Sequence, residues 1–191
     1  EMCIRDSFIP SVACLVQSKL NAHKAACFDI NVACSGFLYG LEIANSMMKS
    51  MNYKNALVIG SETLSKLMDW TDRGTCILFG DGGGAAVLTR CEKGGIIKSY
   101  LRSDGSRGEA LTIEAADFKT PFAKENKEKD RVIKMNGREV FKFATTAIAD
   151  GVTEILKDSN LTLDDIKYIV PHQANYRICL LYTSPSPRDP K

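Results

Sequence analysis

A chain of 191 residues that is 45% hydrophobic and 25% charged has the balance of a globular protein with an ordinary core, which excludes a disordered or fibrous class. Its 25 basic and 23 acidic residues leave a net charge of +2, too small a field to argue for a nucleic-acid partner. No run of 18 apolar residues and no charged-then-apolar leader occurs, so no membrane span or secretion signal is expected.

In chain order, the pattern predicts alternating helix and strand. Ser11 to Leu20 reads as a short helix with Val12, Leu15, Val16 and Leu20 along one side. Ala25 to Ala33, short and β-branched, reads as a strand. Ser35 to Met51 follows as an amphipathic helix, with Phe37, Leu41, Ala44, Met48 and Met51 at steps of four and three. Ala56 to Gly60 is a predicted strand and Asp69 to Thr75 a polar loop. Cys76 to Phe79 and Ala85 to Leu88 read as buried strand around glycines, and Gly95 to Leu101 as a further strand. Lys119 to Lys134 mixes both charges around Pro121 and reads as a solvated loop. Gly137 to Leu156 is a long helix whose buried side is marked by Val140, Ala144, Ala147, Gly151 and Ile155, broadened by Phe141, Phe143, Ile148 and Val152. Thr162 with Asp165 resembles a capping box, and Tyr168 to Val170 is a last short strand. This alternation fits a layered α/β fold.

Two residues stand where such folds place chemistry, outside the carboxyl ends of strands. Cys34 lies where a predicted strand gives way to a helix, beside unpaired N–H groups and the positive end of the helix dipole. That setting lowers a thiol pKa and favours the nucleophilic thiolate. The bland alternative is a buried structural cysteine. His172 follows the last predicted strand, with Pro171 fixing the backbone before it. The other histidine, His23, lies in a polar turn without that context.

Other motifs weigh less. Gly80-Asp81-Gly82-Gly83-Gly84-Ala85 superficially matches a dinucleotide fingerprint, but Ala85 to Thr89 continues as strand where the fingerprint needs a helix. Arg73, Lys142 and Arg177 taken singly are ordinary surface cations. Of seven cysteines, none forms a C-x-x-C pair and no histidine stands at a metal-ligand spacing, so no metal is expected. Scattered cysteines argue against a disulfide framework and for a reducing cytoplasm.

Taken together, Val32-Ala33-Cys34-Ser35-Gly36-Phe37, Thr71-Asp72-Arg73-Gly74-Thr75, Phe79 to Leu88, Gly137-Arg138-Glu139-Val140-Phe141-Lys142 and Val170-Pro171-His172-Gln173-Ala174-Asn175 resemble the β-ketoacyl-acyl-carrier-protein synthase III family. The resemblance covers nearly all of Phe8 to Ile178. It implies a thiolase-like layered α/β fold of two similar halves, held here in part. Residues 8–94 would belong to the N-terminal half, with the nucleophilic Cys, and 95–178 to the C-terminal half, with the catalytic His.

The resemblance also implies a reaction. An acyl-CoA primer loads Cys34, and malonyl-acyl carrier protein then loses carbon dioxide and attacks the acyl-cysteine. His172 would donate to the enolate oxygen, and an asparagine beyond Ile178 would complete the family's triad. Coenzyme A would be held by Arg73, stacked on the adenine, with Gly137 and Phe141. Lys142, Gln173, Ala174, Asn175, Tyr176 and Arg177 would dock the acidic carrier protein, although the family usually has an apolar residue where Tyr176 stands. Coenzyme A enters as a substrate thioester and no cofactor is implied. The full-length enzyme would be a cytoplasmic homodimer, with a residue near Ile9 reaching across to shape the primer pocket. Other readings are a thiolase-fold condensing enzyme of secondary metabolism and a catalytically silent acyl-binding homologue.

The two ends look foreign. Residues 1–6 and 179–189 can be encoded by inverted, complementary stretches of DNA, the mark of a sequencing adapter read through at both ends of a fragment. Residues 1–7 and 179–191 are therefore expected to be adapter-derived and to lie outside the fold, and the remaining chain by itself is expected to be inactive and poorly folded.

Overall fold

The computed structural model describes residues 9–114 and 131–178; the two foreign-looking ends and most of the charged loop from Lys119 lie outside them. The chain separates into two compact units, one running to Lys66 and including Gly80–Ser99, the other made of Leu67–Phe79 and the chain from Tyr100. The polar loop bearing Arg73 thus groups with the second unit, and the sequence passes from one unit to the other after Ser99.

In the first unit, helix α1 (Val12–Lys19) starts where the sequence places it. Its first amides, which have no partner within the helix, are taken up from two sides. Ser11 Oγ accepts from Cys14 N at 3.2 Å. The Asp29 carboxylate accepts from Val12 N and Ala13 N, each at 2.9 Å. Asp29 so ties α1 to the segment that leads to Cys34, a contact 17 residues long that periodicity does not reveal.

Helix α2 (Gly36–Ser50) packs on strand β1 (Asn55–Thr63), which pairs antiparallel with β2 (Asp81–Thr89) in the register Asn55↔Thr89 to Thr63↔Asp81. The close approach of helix and strand depends on two glycines. A Cβ on Gly40 would stand 2.9 Å from Val58 Cγ1, and one on Gly60 would meet the Phe37 ring at 3.4 Å. Glycine inside a helix costs about 1 kcal/mol relative to alanine, and the close approach to buried Val58 accounts for its presence at position 40. The far end of α2 is fixed by Arg90, whose guanidinium donates to Met48 O at 2.6 Å and to Asn52 Oδ1 at 2.7 Å. An open apolar groove of about 450 Å³, lined by residues including Val16, Phe28, Ile30, Ile43, Met47 and Val58, lies beside α1 and α2.

The second unit contains β3 (Leu111–Ile113) paired antiparallel with β4 (Ile133–Met135) in the register Leu111↔Met135 to Ile113↔Ile133. Asn136 N continues that pairing to Ala110 O, and its side chain then accepts from Glu139 N at 3.3 Å, capping α3 (Gly137–Leu156). The long helix has the predicted bounds. Val140, Ala144, Ile148, Gly151 and Val152 are half-buried, while Ala147, Phe143 and Ile155 are exposed, so the expected buried side is only partly covered. The Thr162–Asp165 box forms, with Asp165 Oδ2 accepting from Thr162 N at 2.8 Å, but it opens a single 3-10 turn, Leu163–Asp165. Those bonds hold the Asp165 carboxyl below its ordinary pKa.

Four predicted strands are absent. Residues 25–32, 95–101 and 168–170 belong to no ladder among the described residues, and 76–79 is mostly turn. Alternation and β-branching report a preference for extended, half-buried chain; a ladder also needs a neighbouring edge, which no local pattern supplies. The triple glycine, in contrast, is strand within β2, facing Glu62, Ser61 and Gly60, and no helix opens after it.

Candidate active site

Cys34 is reached through a short strained turn. Irregular chain leads to Val32, Ala33 takes a left-handed backbone with φ +45°, and Ala33–Ser35 form one 3-10 turn before α2 begins at Gly36. A left-handed alanine carries a steric penalty, and such strain gathers at functional positions. Asn31 Oδ1 supports the bend by accepting from Ala33 N at 3.3 Å. Cys34 therefore stands two residues before the α-helix proper instead of opening it, and Ser35 at the cap makes no side-chain cap bond.

That placement corrects the electrostatic expectation. Part of Cys34 reaches solvent, but crowding by protein around the sulfur has the largest influence on the thiol and pushes its pKa up. Backbone hydrogen bonding at Cys34 pulls the other way, and the Glu62 carboxylate, at the end of β1, pushes it further up. The lowered pKa predicted from the helix terminus is not what the fold gives, because desolvation and a nearby anion both favour the neutral form. Glu62 is 28 positions from Cys34 in sequence, and nothing in the local pattern points to it. Glu62→Gln is accordingly expected to lower the Cys34 pKa, raising the thiolate fraction at neutral pH. Iodoacetamide labelling of Cys34, followed by mass spectrometry across pH 6–10, should be faster than in the parent on the low-pH side. An unchanged or slower profile would remove Glu62 from the site.

The second unit holds the remaining candidates. Arg73 is exposed at the apex of a tightly bonded loop. Asp69 Oδ1 accepts from Thr71 N at 2.8 Å and Thr71 Oγ1 at 2.6 Å, which holds the Asp69 carboxyl below its ordinary pKa. Asp72 Oδ1 accepts from Gly74 N at 2.9 Å, and Asp72 Oδ2 from Thr75 Oγ1 at 2.7 Å. Gly137 is exposed at the start of α3, Phe141 is half-buried one turn on, and Lys142 is exposed beside it.

His172 is exposed on irregular chain after 168–170. Gln173, Ala174, Tyr176 and Arg177 are exposed, and Asn175 is half-buried. Asn175 has a visible structural job: its Oδ1 accepts from Arg177 N at 2.9 Å and its carbonyl from Ile178 N at 3.0 Å, which starts a helical turn that includes buried Ile178. Cys34 belongs to the first unit; Arg73, Gly137, Phe141, Lys142 and residues 172–177 belong to the second. Among the described residues no cluster of three or more His, Cys, Asp or Glu could hold a metal ion, and no helix is long and apolar enough to cross a membrane.

Residues 28–105 match the family model described as 3-oxoacyl-[acyl-carrier-protein] synthase III. The chain is 71% identical over 176 residues to the β-ketoacyl-[acyl-carrier-protein] synthase III of Clostridium beijerinckii, covering 92% of this chain and 54% of that protein. The crystal structure of 3-oxoacyl-[acyl-carrier-protein] synthase III from Aquifex aeolicus superposes with a TM-score of 0.78 at 43% identity, covering 90% of this chain and 52% of that one. The priming β-ketosynthase of the R1128 polyketide biosynthetic pathway superposes with a TM-score of 0.82 at 29% identity, covering 93% and 52%. The chain thus spans about half the length of the proteins it matches. Over that span the chain shares the thiolase-like α/β fold of these synthases and is similar to the β-ketoacyl-[acyl-carrier-protein] synthase III family.

Proposed function

We propose that the protein containing this chain is a 3-oxoacyl-[acyl-carrier-protein] synthase III, which starts fatty-acid synthesis by decarboxylative condensation. The observation that carries the reading is the strained Ala33 turn, which presents a partly exposed Cys34 at the head of a helix docked on β1. A sequence 71% identical to a protein of that name supports it.

The chemistry follows from the residues. The Cys34 sulfur attacks the acyl-CoA carbonyl; the C–S bond to coenzyme A breaks, and the thiol proton leaves with the released coenzyme A. Malonyl-carrier protein next loses carbon dioxide, and its electron pair becomes an enolate whose oxygen accepts an N–H from His172. The enolate carbon attacks the acyl-cysteine carbonyl and expels the Cys34 thiolate, which takes up a proton. Arg73 holds the adenine of coenzyme A through its planar guanidinium, with Gly137 and Phe141 beside it. Lys142, Gln173, Ala174, Tyr176 and Arg177 meet the acidic carrier protein, and Asn175 shapes that stretch by capping the turn that bears Arg177. No cofactor is required, and the enzyme works in the cytoplasm as a homodimer.

The test is direct: incubating the full-length protein with acyl-CoA should add one acyl group to the peptide carrying Cys34, and malonyl-carrier protein should remove it. No adduct on Cys34 would sink the proposal. Arg177→Glu should slow the carrier-dependent step about tenfold at low salt, less at high salt, and leave acyl loading from coenzyme A intact. Equal loss in both half-reactions would take Arg177 out of carrier docking.

A second reading, a condensing enzyme of secondary metabolism with another acceptor, is favoured by the superposition on the polyketide priming synthase. The acceptor that removes the acyl group from Cys34 decides between the two.

A further inference from the structure

The most deeply buried polar side chain among the described residues, Thr75 at 1% exposure, lies in the loop that carries exposed Arg73. A buried hydroxyl needs a partner, and Thr75 Oγ1 donates to Asp72 Oδ2 at 2.7 Å while lying 3.3 Å from Asp72 O. The other Asp72 oxygen accepts from Gly74 N, and Asp72 O also accepts from Thr75 N at 3.2 Å and Cys76 N at 3.0 Å. Asp72 thus bonds both residues that follow Arg73. A Cβ on Gly74 would come to 3.1 Å from Asp72 Oδ1, so the ring of bonds closes around a residue without a side chain.

We infer that Asp72 and Thr75 are positioning residues that hold the backbone on both sides of Arg73 and so pre-organise its guanidinium for the nucleotide end of coenzyme A. This rests on the reading of Arg73 given under the proposed function. The physical content is entropic: a loop already locked loses less freedom when the ligand binds. Thr75 is the anchor, since its burial roots an otherwise exposed loop in the second unit.

Coenzyme A and pantetheine separate positioning from mere stability, because acyl-pantetheine delivers the same acyl group without the nucleotide. In the full-length protein, Thr75→Val should raise KM for acyl-CoA about three- to tenfold, with kcat nearly unchanged and KM for acyl-pantetheine unmoved. Thr75→Ser should restore the parent value, and Asp72→Ala should behave as Thr75→Val does. In an Arg73→Ala background, Thr75→Val should add nothing further, as expected for residues acting through one group. If Arg73→Ala itself fails to separate the two substrates, the reading of Arg73 falls. If Arg73→Ala separates them and Thr75→Val does not, the positioning inference is overturned. It is equally overturned if Thr75→Val and Asp72→Ala impair both substrates alike or unfold the protein, because the clamp is then structural only.

Discussion

Replacing Cys34 by alanine in the full-length protein should abolish condensation, lowering kcat/KM by about four orders of magnitude or more, as loss of a nucleophile does elsewhere. Decarboxylation of malonyl-carrier protein should survive, because that step needs donors at the enolate oxygen and no sulfur. The structure gives a reason to expect a stable variant. Cys34 sits in a one-turn 3-10 segment and is partly exposed, so removing the thiol leaves no large cavity, and α2 stays fixed through Gly40 on Val58 and Arg90 on Met48. The measurement is release of labelled carbon dioxide alongside 3-oxoacyl product. Retained condensation in the alanine variant would remove Cys34 from the reaction.

His172→Ala should divide the half-reactions the other way. Transfer of the acyl group from coenzyme A to Cys34 should persist, while decarboxylation falls on the order of a hundredfold or more, the usual effect of deleting a donor to a developing oxyanion. His172 is exposed and lies outside regular structure, four residues before the turn that begins at Tyr176. Its loss should therefore leave the unfolding transition of the full-length protein unchanged. A variant that decarboxylates normally would show that the enolate oxygen is stabilised by other groups.

The Asp72–Thr75 clamp and Glu62 illustrate different kinds of information in the chain. An aspartate two residues before a glycine is a recognised turn signal, because its carboxylate can take the amide two positions on. Asp72 and Gly74 carry that signal in the sequence, yet the burial of Thr75 does not follow from it. Glu62 gives no local signal. It bears on Cys34 only because β1 and α2 are packed together, with Phe37 against Gly60 and Gly40 against Val58.

The amino-acid sequence by itself determined the features that depend on near neighbours. The 3.6-residue spacing and a local cap set α3 at Gly137–Leu156, and the same spacing placed α2 within one residue at each end. Local backbone chemistry likewise formed the Thr162–Asp165 box. Five motifs in their order were enough to point to the family. The tertiary structure decided what depends on distant neighbours. It determined which extended segments found a ladder, so that Asn55–Thr63 paired while residues 25–32 did not among those described. It also set the thiol of Cys34: a helix terminus acts within a turn and is legible locally. The desolvation and the Glu62 charge that raise the pKa arise only when remote segments close around the sulfur.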